Sequence, residues 1–127
     1  MLQLTTIFFL ISFSLLAVLH AIAIKLFLYW HFSWLDNVMH LYGGAVVALG
    51  VYTLVDLKLF KHHWLTGVRV VFVVFFVAVV WELFELSSGI THLFDSDYIP
   101  DTASDLFMGV VGGSLGYLVA SRIQKLR

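Results

Sequence analysis

Residues 66–88 read TGVRVVFVVFFVAVVWELFELSS, a run in which Arg69 is the only charge before Glu82 and Glu85. A hydrocarbon core ~30 Å thick needs about 20 apolar residues wound as a helix, and this stretch has the length and composition to cross it. Its apolar residues are continuous instead of alternating, and no ladder of roughly ten-residue strands with turn signals surrounds it, which disfavours a membrane β-barrel. Working outward, three more runs of the same kind lie at roughly 4–30, 36–57 and 102–120. The expected architecture is all-α: a polytopic four-transmembrane-helix bundle, one domain over residues 1–127.

Composition points the same way. Of 127 residues, 61% are apolar and only 12% charged, with a mean hydropathy of +1.00, against about a quarter charged in a soluble domain. A soluble fold is excluded on that ground. One proline and nine glycines rule out collagen-like and disordered chains. The lack of cysteine removes disulfides, thiolate metal sites and cysteine nucleophiles. A formal net charge of −1 leaves no basic surface for nucleic acid. Ala21-Ile22-Ala23 looks like a signal cleavage site, but the first run has no basic leader and is too long for a signal core, so it is expected to stay as a helix.

Lys58, Lys61 and Arg69 flank the connection between the second and third runs, and Arg122, Lys125 and Arg127 follow the fourth. The stretches 31–35 and 88–100 carry no Lys or Arg. The positive-inside rule then predicts both termini in the cytoplasm, with Trp30 and Trp34 at the outer interface and Trp64 at the inner one. A bacterial or archaeal cytoplasmic membrane is the expected home, with lipids and either further copies or other membrane subunits as partners. Gly109, Gly112, Gly113 and Gly116 in the fourth run, and Gly43, Gly44, Ala48 and Gly50 in the second, are small residues that let helix backbones approach closely.

The chemistry lies in the acids. Asp36 and His40 open the second run, Glu82 and Glu85 close the third, and Asp101 and Asp105 open the fourth. All six then fall in the outer half, with His40, Glu82 and Asp105 on the order of 5 to 10 Å inside the boundary. Asp36 and His40 share a helix face, as do Asp101 and Asp105, and Glu82 and Glu85 form an i, i+3 pair. That makes five carboxylates and one imidazole, with Lys25 the one basic candidate at that depth. Ionisable groups in a membrane cost roughly 2.5 to 3.5 kcal/mol each on insertion scales and mark function by default. Three resolutions are open: the carboxyls share protons, they line a hydrated vestibule, or they bind a cation. A cation accounts best for the histidine. Oxygen donors plus one imidazole suit Mg²⁺, Mn²⁺, Ca²⁺, Zn²⁺ or iron without choosing among them.

Other polar residues have plainer readings. His20 fits an interhelical hydrogen bond, His62 and His63 a headgroup-facing loop, and His92 and Asp95 an outer loop. Pro100 marks a helix start, and Asp101 just after it fits a cap as well as a ligand. Ser87, Ser88 and Ser104 have no nucleophile context.

The series Asp36-x-x-x-His40-x-Tyr42, Trp81-Glu82-x-x-Glu85 and Asp101-x-x-x-Asp105-x-x-x-Gly109 with Gly113 resembles the small VanZ-like membrane proteins and related inner-membrane families, over about residues 36–116. It departs from them at Glu85, where they tend to have Gln, and at Asn37, where they tend to have Lys. The resemblance implies a multi-helix protein of the cell envelope in which His40, Glu82, Asp101 and Asp105 recur as a set. Two functions are expected from these residues. One is a metal-dependent envelope enzyme acting on a lipid-linked substrate, with His40, Glu82, Asp105 and Asp101 as metal ligands and Glu85 or Asp36 as the base. The other is a non-enzymatic subunit or cation-binding module of a larger membrane complex.

Overall fold

A computed structural model describes residues 3–89 and 97–125 of the chain. Helix α1 (Leu4–Lys25) leads through the single turn α2 (Leu28–His31) into α3 (Trp34–Asp56). A 3₁₀ turn at His62–Trp64 precedes α4 (Gly67–Ser88), and α5 (Tyr98–Lys125) ends the described chain. Helices α1, α3, α4 and α5 are each long and apolar enough to span a membrane, and the described residues include no strand. Ile11, Phe72, Phe76, Phe107 and Leu118 are all exposed. In water this would be an aggregating surface; against lipid tails it is a matched one.

Lipid is as apolar as leucine, so packing geometry has to hold the helices together. Helices α3 and α5 make the most extensive pairing, and glycine makes it possible. A Cβ on Gly44 would collide with the Gly109 carbonyl, and one on Gly112 with the Leu41 carbonyl. Gly113 seats Val74 of α4, whose Cγ1 would lie 2.6 Å from an added Cβ. Around this seam Ala48, Leu49, Val51, Tyr52, Val70, Val74 and Ala120 form a buried apolar cluster. Helix α1 lies at the edge, packed mainly on α3 through contacts such as Phe9 over Gly50.

Three boundaries differ from the expected ones. The first run does not continue as one helix to residue 30: Phe27 adopts a left-handed conformation (φ 55°), which turns Tyr29 back to hydrogen-bond His20 at 2.7 Å. The last helix begins at Tyr98, not near residue 102, because Pro100 sits in the first turn, where the missing N–H has no helical partner to lose. It also runs on to Lys125, past the apolar stretch that ends at Ala120. Gly89, in the left-handed region (φ 73°), terminates α4, as helix C-caps favour.

The four spans alternate in direction, so the two ends of the bundle differ. At one end Asp56 meets Thr6 and Gln124, both at 3.4 Å, and His62 meets Gln124 at 2.9 Å. At the other end the acidic residues gather.

Candidate metal centre

His40 is the hub. Its Nε2 faces Asp36 Oδ1 at 3.6 Å, Glu82 Oε1 at 3.8 Å and Asp105 Oδ2 at 3.8 Å. These donors come from α3, α4 and α5, and the close α3–α5 seam carries Asp105 to within reach of His40. The side chains of His40, Glu82 and Asp105 are 8%, 8% and 3% exposed, whereas that of Asp36 is 35% exposed and opens the cluster to its surroundings. Glu85 is buried as well. Asp36, His40 and Asp105 each place a donor atom within 4.8 Å of the others', as do His40, Glu82 and Glu85.

The spacing is informative. Separations of 3.6 to 3.8 Å exceed the ~2.7–3.2 Å of a hydrogen bond. Four donors set tetrahedrally ~2.1 Å from a shared ion stand about 3.4 Å from one another, close to what is seen. Two buried oxygens, Glu82 Oε1 and Asp105 Oδ1, have no hydrogen-bond partner, a costly state for a buried acceptor. Among the described residues no lysine or arginine pairs with these acids; Lys25 is exposed.

Neighbouring groups orient the acids. The Trp81 indole Nε1 donates to Glu85 Oε1 at 2.8 Å, and the Thr102 hydroxyl donates to Glu82 Oε2 at 3.2 Å. His20 packs edge-on against Trp81, ring centroids 5.5 Å apart. The phenol of Tyr29, outside the spans, is pushed up to about 12 by burial, reinforced by the negative charges of Asp36 and Glu85. Trp81 lies on the helix face of the acid it serves, at i, i+4 from Glu85, a signal the sequence carries, whereas Thr102 serves Glu82 across the α4–α5 contact, which no spacing within one helix reveals.

Of the six residues expected in the site, five converge. Asp101 lies one turn further out on α5, is exposed and stands outside both donor groups. It is also no helix cap, since its N–H bonds the Asp97 carbonyl at 2.9 Å. Ser87 and Ser88 donate to the Phe84 carbonyl and Ser104 to Asn37, so none is poised as a nucleophile. His62 is at the opposite end, and His92 and Asp95 lie outside the described residues.

The family described as "Predicted membrane protein (DUF2238)" matches residues 2–126. The chain belongs to that family. No curated protein and no solved structure matches it. Membership in DUF2238 carries the coarser part of the motif likeness, a family of membrane proteins, and its description names no reaction. What the DUF2238 chain does therefore has to be argued from the cluster.

Proposed function

We propose that the protein is an integral membrane protein built around a divalent-cation centre, held by His40, Glu82 and Asp105 with Asp36 and Glu85 beside them. One observation carries this reading: three carboxylate oxygens from three helices surround one imidazole nitrogen at 3.6 to 3.8 Å, too long for hydrogen bonds and near the spacing of ligands on one ion. The orphaned Glu82 Oε1 would gain its missing partner. Asp101, exposed at the mouth, would assist an ion's entry more readily than ligate it. Oxygen donors with one imidazole suit Mg²⁺ or Mn²⁺, with Zn²⁺, Ca²⁺ and iron as alternatives.

In the reading we favour, the centre belongs to an enzyme of the cell envelope. A divalent ion there supplies Lewis acidity to a phosphoryl or acyl oxygen of a lipid-linked substrate. Asp36 is the better base, because of the four converging carboxylates it alone reaches the surface; Glu85 is buried and tied to Trp81. The burial of Glu82, Glu85 and Asp105 favours a second reading, an ion that pins the helix ends of an accessory subunit. Elemental analysis of detergent-purified protein, wild type beside His40→Ala, tests the centre: about one or more equivalents in the wild type and none in the variant is expected. Metal-free wild type would refute it. Release of phosphate from a lipid phosphate, lost in His40→Ala, separates the enzyme from the subunit.

A further inference from the structure

We infer that the cluster is a two-cation centre, and that the substrate chemistry it fits is a phosphoryl group held across both ions. This rests on the cation-binding reading above and narrows it. The donors fall into two groups, Asp36 with His40 and Asp105, and His40 with Glu82 and Glu85, with His40 common to both. Each group contains one buried carboxylate oxygen that lacks a hydrogen-bond partner, Asp105 Oδ1 in the first and Glu82 Oε1 in the second. Glu82 Oε1 is aimed into the cluster, 3.8 Å from His40 Nε2. A histidine nitrogen has a single lone pair to give, so His40 can ligate only one of two ions, and the carboxylates of the other group would hold the second.

Charge leads to the same count. Ionised to bind cations, Asp36, Glu82, Glu85 and Asp105 would bring four negative charges, with no lysine or arginine paired to them among the described residues. A single divalent ion would leave half of that charge uncompensated in a buried site, whereas two adjacent ions, ~3.5–4 Å apart in such centres, neutralise it. The count also bears on the substrate. A centre left doubly negative repels a phosphoryl anion. A centre brought to neutrality by two dications, and opened to one side by the half-exposed Asp36, would accept phosphoryl oxygens as further ligands.

The test uses the full chain in detergent, stripped with a chelator and reloaded with Mn²⁺. Two Mn²⁺ per chain with an exchange-coupled paramagnetic resonance spectrum are expected, and addition of inorganic phosphate is expected to alter that spectrum. Glu85→Gln is expected to retain one ion, with the uncoupled six-line pattern. One Mn²⁺ per chain in the wild type, or two without coupling, overturns the paired centre and leaves the cation reading standing; no bound Mn²⁺ overturns both. A coupled spectrum indifferent to phosphate overturns the phosphoryl assignment. Two coupled ions in Glu85→Gln would show that Glu85 does not hold the second ion. Should that variant fail to fold, the wild-type stoichiometry and coupling still decide.

Discussion

At the scale of single residues, the proposed centre takes His40 and Asp105 as its ligands and Trp81 as the group that aims Glu85. His40→Ala and Asp105→Asn are expected to lose Mn²⁺ through dialysis while helical content by circular dichroism stays at the wild-type level, because the glycine contacts that hold α3 to α5 are untouched. Asp56→Asn and His62→Ala, at the opposite end, are expected to bind as the wild type does. Trp81→Phe keeps an aromatic ring and removes the N–H whose hydrogen bond Glu85 accepts. Loss of such an orienting partner costs about 10- to 100-fold in metal affinity, so calorimetric titration with Mn²⁺ is expected to show at least a tenfold weaker Kd, and an unchanged Kd would remove Trp81 from the site. The clustering of Asp36, His40, Glu82, Glu85 and Asp105 was legible from helical spacing alone, since each pair shares a face and every helix brings its pair to the same depth. The fate of Asp101 was not. It shares a face with Asp105, yet it is exposed and stands outside both donor groups, and spacing along one helix does not show how far its neighbours cover it.

At the scale of elements, the small residues of the second and fourth runs predict close helix contact, and α3 and α5 meet through them. Which glycine faces which neighbour was not readable, because Gly43 and Gly44 are adjacent in sequence and point to different helices: an added Cβ on Gly43 would lie 4.0 Å from Leu16 of α1, whereas on Gly44 it would strike the backbone of α5. Substitution by alanine should separate them. Gly44→Ala and Gly112→Ala force backbone apart and are expected to destabilise the bundle by about 1–3 kcal/mol, the usual cost of overpacking, while Gly43→Ala is near neutral. Unfolding in mixed micelles with increasing denaturing detergent measures this, and equal midpoints for Gly43→Ala and Gly112→Ala would mean that α3 and α5 are not in backbone contact. The break at Phe27 was likewise hidden, since a left-handed phenylalanine costs roughly 1–2 kcal/mol and no turn residue announces it. The turn is held by the tertiary contact of Tyr29 with His20, which lies nine residues away in the sequence.

At the scale of the whole molecule, the bundle concentrates negative charge at one end and positive charge at the other, and two consequences can be measured. Ions bound only by the folded state add RT ln(1 + [L]/Kd), about 2.7 kcal/mol at a concentration of 100 Kd, so Mn²⁺ is expected to raise the Tm of the wild type and chelator to lower it, with neither effect in His40→Ala. Orientation is the second consequence. Lys58, Lys61, Arg69, Arg122 and Lys125 all lie toward the end opposite the centre, and among the described residues Lys25 alone lies toward the centre's end. Moving positively charged segments outward against the positive-inside bias is disfavoured during insertion, so the basic end is expected in the cytoplasm and the acidic centre in the outer half of the membrane. Because the chain has no cysteine, single thiols report this without background. Ser33→Cys is exposed beside the start of α3 at the centre's end, and His63→Cys is exposed in the 3₁₀ turn at the other. On intact cells an impermeant maleimide is expected to label the first and to reach the second only after the membrane is opened. The reverse pattern would place the centre on the cytoplasmic side, where its ions and any phosphoryl substrate would come from the cell interior.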